Sequence, residues 1–441
     1  YVRRDTGFTT CGHPEIELAL VRLYDHTGEG KYLELAKFFL DERGVREEEI
    51  YPAMDRAYDQ SHMPVRKQRS AVGHAVRALY LYCAMADVGR RTGDAELLEA
   101  CRALFSDIVR SKLYLTGGVG SGWWGERFTI AYDLPNAQAY AETCAAIALV
   151  FFCERLAQAG DRAGYHAVVE RALYNNILAA ESADGRGFYY VNPLAADAKY
   201  ARYARSVPGM PFKPLLQRAE VFGCSCCPPN LVRLFAQIGS FAYGEEDGVL
   251  YVHQYISSQI SACGMELSLT TQLPFAGSVN IFVRGRGRLA LRIPVWQTHI
   301  ACSVNGQSTE PEAEGDYLYF SVDGDTRIEV VFGMRPRFVW ANGHVRADSG
   351  RKAVEYGPLV LCAEEADNGG DLSGVEISSL ERAEVVRTEN GLKVRVPARR
   401  LRTGDALYSY LPPEPESFTL TLIPYYSWAN RGENDMQVWF L

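Results

Sequence analysis

The sequence has no run of basic residues, and it carries a net charge of −8 at pH 7. That balance argues against nucleic acid or an anionic membrane surface as the principal partner. It also lacks an apolar stretch long enough to cross a bilayer as a helix, so no membrane association is expected. No signal-like segment follows the first residue, Tyr1, and a processed product or a fragment is expected. An even, regularly spaced cysteine framework is missing too. There are 11 cysteines, and Cys83, Cys101 and Cys153 fall in apolar helical stretches. Secreted disulfide scaffolds are built differently, and a reducing, cytoplasmic setting fits better. What is present is ordinary for a globular chain, with 47% hydrophobic and 23% charged residues. At 441 residues there is room for two or three domains and a large core. Aromatic residues reach 12%, a level that sugar clefts and plain β-sheet cores share, so it discriminates little.

Residues 1–245 read as a helical domain built from hairpins. In 12–43, Pro14 opens an amphipathic run from Glu15 to Tyr24, Thr27-Gly28-Glu29-Gly30 breaks it, and Tyr32–Leu40 follows. Residues 72–90 and 95–112 form a second hairpin around Thr92-Gly93-Asp94. Residues 142–158 and 163–180 form a third around Ala159-Gly160-Asp161. The turn glycines Gly28, Gly93 and Gly160 recur at nearly even spacing, the mark of a helix–turn–helix repeat. Stacked hairpins make an open solenoid or close into an (α/α) toroid. The long irregular segments 44–70 and 113–141 suit a toroid, whose loops build a pocket at one end. Three hairpins make about half of such a ring, so an N-terminally incomplete toroid is expected. A further helix is expected over 228–241.

Residues 246–441 read as one or two β-sandwich modules. Strands are expected at 249–252, 267–270, 279–283, 289–293, 317–320 and 418–426, with turns at Asn305-Gly306 and Asp323-Gly324. The acidic, glycine-rich stretch 365–375 reads as an exposed loop or a boundary.

The stretch with the most chemistry is Cys224-Ser225-Cys226-Cys227-Pro228-Pro229-Asn230, which leads into the apolar run Leu231–Phe235. Proline is tolerated in a first helical turn, so these thiols are expected at the mouth of a helix, where thiolate is favoured. Glu142-Thr143-Cys144 stands at another expected helix start. Three thiolates and a carboxylate are a tetrahedral zinc donor set. The spacing is not that of a zinc ribbon, and the bland reading leaves Cys144 in the core and the pair as loop thiols. Glu126 lies in the loop Thr116–Phe128, rich in Gly and Trp. Beside Trp123 and Trp124 its carboxyl is a candidate general acid with a raised pKa, or else a solvated partner of Arg127. This loop is not a phosphate loop, because no lysine follows it. His13 and His74 each follow a glycine at an expected helix start, which suggests one shared rim; structural histidines are the commoner case.

Seven stretches, in order, resemble glycoside hydrolase family 127, the β-L-arabinofuranosidases. They are Gly12-His13-Pro14-Glu15-Ile16-Glu17-Leu18-Ala19-Leu20, Gly73-His74-Ala75-Val76-Arg77-Ala78, Gly125-Glu126-Arg127-Phe128, Glu142-Thr143-Cys144-Ala145, Tyr190-Val191-Asn192-Pro193-Leu194, Cys226-Cys227-Pro228-Pro229-Asn230 and Pro424-Tyr425-Tyr426-Ser427-Trp428-Ala429-Asn430-Arg431. The resemblance implies an (α/α)6 barrel followed by β-sandwich domains, and a retaining hydrolase acting on terminal β-L-arabinofuranosyl groups of an oligosaccharide or glycoconjugate. It implies Cys226 as nucleophile, Glu126 as acid/base, and Zn2+ held by Glu142, Cys144, Cys226 and Cys227. It also implies sugar contacts from His13, His74 and Tyr190, leaves Cys224 a bystander, and places a further N-terminal section ahead of the first hairpin. A second copy of the chain is a candidate partner. Two rivals remain: a carboxylate pair, Glu126 with Asp133, beside a structural zinc, and a non-catalytic carbohydrate-binding remnant.

Overall fold

The computed structural model describes residues 10–45, 54–160, 164–210, 212, 214–388, 391–402 and 406–441. Positions 46–53 of the expected 44–70 loop, and 161–163 of the third hairpin, lie outside these. Internal contacts divide the chain into two units. The first comprises Tyr1–Leu194, Arg218–Asn230 and Asn342–Ser349; the second comprises Ala195–Gln217, Leu231–Ala341 and Gly350–Leu441.

The first unit carries α1 (Ile16–Thr27), α2 (Gly30–Glu42), α3 (Ala75–Thr92), α4 (Ala95–Ser111), α5 (Thr143–Gln158) and α6 (Tyr165–Ala172). Helices α3 and α5 pack on each other. Both are buried nearly all round, α5 without a break from Thr143 to Leu156, whereas α4 buries a single stripe through Leu97, Cys101, Leu104 and Ile108. Composition explains the difference: a helix apolar on every side must be interior, and an amphipathic one lies against it. Asp94 caps α4 by accepting from Leu97 N at 3.1 Å. The helix expected to run to 180 departs from α-geometry, entering a π-turn at Leu173–Ile177 and a 3-10 turn at Leu178–Ala180. The glycine-rich loop presses on it there. A Cβ on Gly117 would lie 2.6 Å from Ala172 Cα, and Asn176 N donates to Thr116 O at 3.0 Å.

Three further helices are α7 (Ala198–Ser206), α8 (Cys227–Phe235) and α9 (Ile238–Ala242). The single helix expected over 228–241 is thus two, because Gln237 leaves helical geometry at φ −113°.

Among the described residues, the second unit holds two β-sheets. In the first, the segments 279–283 and 289–293, expected as two strands, are one strand, Ser278–Arg292. Met265–Thr271 and Thr326–Phe332 pair with its first half. Tyr317–Asp323, and in parallel Val249–Val252, pair with its second half. Asp323-Gly324 is therefore not a hairpin turn. The strands on either side of it follow the same long neighbour, and Gly324 N donates to Gly285 O at 2.8 Å. Asn305-Gly306 does turn a hairpin, with both residues left-handed at φ 52° and 79°. Alternate residues Val279, Ile281, Val283, Leu289 and Leu291 meet Leu318, Phe320, Ile328 and Val330 in one core. The second sheet runs through Pro336–Val339, Ala353–Tyr356, Leu359–Glu364, Glu414–Pro424 and Gly391–Arg402. Within the stretch expected as loop, Glu365–Asn368 forms a single helical turn. The chain is thus a helical region followed by sheet-rich regions. Among the described residues, no helix is long and apolar enough to cross a membrane.

Candidate active site

Three helix N-termini of the first unit deliver the candidate residues. His74 is the N-cap of α3, Glu142 is the N-cap of α5, and Cys144 lies in the first turn of α5. Cys226 precedes α8 and Cys227 begins it. Cys226 O accepts from Asn230 N at 3.4 Å, and Pro228 and Pro229 fit the first turn, where their missing N–H groups are not needed. Helix N-termini favour negative charge, and those of α5 and α8 present carboxyl and thiol groups that can carry it.

Cys226 Sγ lies 3.5 Å from Cys144 Sγ, 3.8 Å from Cys227 Sγ and 3.7 Å from Glu142 Oε1, and Cys144 Sγ is 3.7 Å from Cys227 Sγ. None of these cysteines is in a disulfide. The four donor atoms fall within 4.8 Å of one another, a grouping that can hold a metal ion. Glu142 is 2% exposed, its carboxylate does not cap its own helix, and its Oε2 has no hydrogen-bond partner. Burial, then the charges of Glu126 and Cys226, push the Glu142 carboxyl well up. The Cys226 thiol is held far below its ordinary value by hydrogen bonds from Cys144 and Cys227, against the pull of burial; Tyr190 adds to the lowering. The bonds of Cys144 to Cys226 and Cys227, with burial, push the Cys144 thiol up. Cys224 is exposed.

Glu142 also belongs to a second group, with His74 and Glu126. Glu126 stands on a four-residue loop, Trp123–Glu126, closed by mutual backbone bonds of 3.0 Å between Gly122 and Arg127. Gly125 and Glu126 are both left-handed, at φ 70° and 51°. Glycine meets that demand freely, whereas for Glu126 it is a strained conformation. The strain is held by Glu126 O accepting from Ala75 N at 2.9 Å, by His74 Nε2 at 2.8 Å from Oε2, and by the Tyr140 hydroxyl donating to Oε1 at 2.7 Å. His74 Nδ1 caps α3 by accepting from Arg77 N, which leaves Nε2 as the protonated nitrogen facing the carboxylate. The expected raised pKa of Glu126 is not found. Burial does push it up, but the bonds from His74 and Tyr140 outweigh burial, and the carboxyl sits below its ordinary value. Nor is Arg127 its partner; Arg127 Nη1 pairs with Asp55 Oδ2 at 2.8 Å.

Tyr190 faces the same groups and helps lower both the Glu142 carboxyl and the Cys226 thiol. Thr143 N donates to Tyr190 O at 3.0 Å, and the buried Asn192 Nδ2 donates to Ala141 O and Thr143 Oγ1 at 2.9 and 3.0 Å, tying the two segments together. His13 is a member of neither group, though burial and then the charges of Arg77 and His74 lower its pKa. Its ring is 6.2 Å from that of Tyr80, whose hydroxyl donates to Asn230 Oδ1 at 2.9 Å beside the thiol loop. Asp133 is exposed and belongs to neither group. Sequence reasoning missed Tyr140. One tyrosine among 26 carries no signal, and only its place two residues before Glu142 could have raised it.

Three family models match in succession: the β-L-arabinofuranosidase, GH127 catalytic domain over residues 6–240, the GH127 middle domain over 249–334, and the glycoside hydrolase family 127 C-terminal domain over 336–441. A non-reducing end β-L-arabinofuranosidase of Bifidobacterium longum subsp. longum is 35% identical, over 97% of this chain and 70% of that protein. A solved GH127 β-L-arabinofuranosidase from Geobacillus stearothermophilus T6 superposes with a TM-score of 0.90 at 36% identity, covering 100% of this chain and 74% of its own. A second solved GH127 β-arabinofuranosidase gives 0.87 at 36% identity, covering 98% and 69%.

Proposed function

This chain belongs to glycoside hydrolase family 127 and is a glycoside hydrolase, and we propose that it releases L-arabinose from terminal β-L-arabinofuranosyl groups with retention, using Cys226 as nucleophile and Glu126 as acid/base. Zinc is the metal of this reading, with Glu142, Cys144, Cys226 and Cys227 as its ligands. His74, Tyr190 and, further out, His13 contact the sugar, and residues 1–245 house the chemistry.

The observation that carries the reading is the convergence of three sulfurs and one carboxylate oxygen within 4.8 Å. A tetrahedral ion with bonds of about 2.3 Å has ligand–ligand edges of about 3.8 Å. The separations of 3.5, 3.7 and 3.8 Å among the sulfurs, and of 3.7 Å to Glu142 Oε1, fit that size. When bound, zinc keeps its cysteine ligands ionised at neutral pH.

The remaining chemistry belongs to the side chains. Cys226 Sγ attacks the anomeric carbon while Glu126 gives a proton to the departing oxygen. Glu126 then takes a proton from water, which displaces the sulfur. Two inversions give net retention. His74 and Tyr140 hold both oxygens of Glu126 in place and favour its ionised form, the one the second step uses.

The test is metal content together with hydrolysis of an aryl β-L-arabinofuranoside. About one zinc per chain is expected, and Cys226→Ala lowers kcat by about a thousandfold or more. Full activity in Cys226→Ala would overturn the thiol nucleophile in favour of a carboxylate mechanism. Sugar binding without turnover by the wild-type chain would favour a binding remnant.

A further inference from the structure

Resting on the reading above, we infer that Gln60 is a positioning residue for the acid/base: it fixes the two-residue strand, Gly73–His74, that presents His74 to Glu126. That strand pairs with the loop of the acid. Gly73 stands opposite Phe128 and His74 opposite Arg127, and Ala75 N donates to Glu126 O at 2.9 Å. The strand also meets the segment 57–60. Tyr58 O accepts from His74 N at 3.0 Å, and the Tyr58 ring stands edge-on to the imidazole at 5.6 Å. Gln60 is wholly buried and joins the two segments. Its Nε2 donates to Val72 O at 3.0 Å and to Tyr58 O at 3.1 Å, which uses both N–H bonds of the amide. His74 O and Ala57 O stand slightly further out, each at 3.4 Å. Four carbonyl oxygens thus surround this one nitrogen, and the opposite orientation of the amide would set its oxygen against all of them.

The seat has no slack. Gln60 itself is left-handed at φ 62°, a costly conformation for a glutamine. Further side chains hold its backbone there. The buried Gln68 donates from Nε2 to Gln60 O at 2.8 Å, and the buried Arg43 donates from Nη1 to Asp59 O at 2.9 Å. Gly73, facing this segment, is left-handed too, and a Cβ there would lie 1.8 Å from Ala57 O. The segments therefore meet backbone to backbone, at a distance only glycine allows. Strain held in this way persists where the surroundings over-determine it. Here it leads to one place: from Gln60 through the strand to His74, and from His74 Nε2 to Glu126 Oε2 at 2.8 Å. The carboxyl of a general acid must meet the glycosidic oxygen within hydrogen-bond reach, and a misplacement of about 1 Å can cost on the order of a hundredfold in rate. An apolar side chain at position 60 would supply neither donor, and a glutamate would set oxygen against oxygen.

The experiment measures kcat/KM on methyl and nitrophenyl β-L-arabinofuranosides for wild-type, Gln60→Met and Gln60→Asn holoenzymes, each with and without His74→Ala. Met removes both donors. Asn draws the amide back by about 1.5 Å, and its ease in the left-handed region keeps a folded variant in hand if Met does not fold. A nitrophenyl group departs with little help from an acid, so a residue that acts through Glu126 shows itself in the ratio of the two substrates. The expected result is a loss of about tenfold or more on the methyl glycoside and of less than about threefold on the nitrophenyl one. Little further loss is expected when either change is added to His74→Ala, because both then break the same chain of contacts. A packing role alone would lower the melting temperature and act equally on both substrates. Equal losses, no loss, or losses that multiply with that of His74→Ala overturn the inference. If the wild type hydrolyses neither glycoside, the proposed function itself fails, and the two failures are thereby told apart.

Discussion

Each unit holds a cluster of acidic groups whose surroundings are opposite in kind. In the second unit, Glu364 is fully buried and accepts from Arg431 Nε at 3.0 Å and from Ala429 N at 2.8 Å. Asp367 pairs with Arg431 at 2.7 Å and with Lys393 at 2.8 Å. In the first unit, Glu142 faces Glu126, Cys226 and Tyr190, and every ionised neighbour there has its own sign. Burying a charge is costly unless it is compensated. A compensated cluster such as Glu364–Arg431–Asp367–Lys393 serves the fold. A cluster of like-signed groups at the N-termini of α5 and α8 costs stability and is kept for what it binds or does. The motif around Arg431, one of the seven that carried the family resemblance, is accounted for by the first kind; the motifs around Cys226 and Glu142 belong to the second.

The comparison can be broken most directly at Arg431. Arg431→Ala leaves Glu364 buried and unpaired, and a loss of about 3–5 kcal/mol is expected in denaturant unfolding. A near-neutral result would mean that the second unit's acids do not depend on their cations. At the other cluster, Tyr140→Phe removes one donor from the Glu126 carboxylate. Bonds to charged groups contribute about 1.5–3 kcal/mol, so kcat is expected to fall by roughly ten- to a hundredfold, and more for alkyl than for activated aryl glycosides. Equal losses on both would show that the hydroxyl does not act through the acid. The smallest effect concerns pH. Burial pushes the Asp367 carboxyl up, but the bonds from Arg431 and Lys393 outweigh it and hold it below its ordinary value of 3.8. A depressed acid stabilises the fold above its unfolded-state pKa and loses that contribution as pH falls through the folded value. The melting temperature should therefore hold down to that ordinary value and drop below it, with a shallower drop in Asp367→Asn. An unchanged drop would assign the acid sensitivity to other groups.

Local chemistry made much of this molecule legible. The helices α1 and α4 follow apolar periodicity, and Gly28, Gly93 and the Asp94 cap mark where α1 and α3 end and α4 begins. The thiol loop is expected at a helix mouth because Pro228 and Pro229 suit a first helical turn, where no N–H is needed. Where expectation failed, a distant segment intervened. Residues 279–283 and 289–293 look like two strands, yet they are halves of one strand, paired in turn by Thr326–Phe332 and Tyr317–Asp323. Asp323-Gly324 has the composition of a hairpin turn, yet the ladder runs past it. The π-turn at Leu173–Ile177 owes its place to Gly117 and Thr116, more than fifty residues earlier.

The amino-acid sequence by itself determined the donor types, the helix starts that would carry them, and the order of helical and sheet-rich regions. These depend on side-chain identity and on periods of two or 3.6 residues, which act over a few neighbours. Only the tertiary structure decided which donors meet. It brought Cys226 within 3.5 Å of a thiol 82 positions away, left His13 and Asp133 outside, and set Tyr140 against Glu126. It also reversed the expected pKa shift of Glu126, because hydrogen bonds from His74 and Tyr140, on two separate segments, outweigh burial.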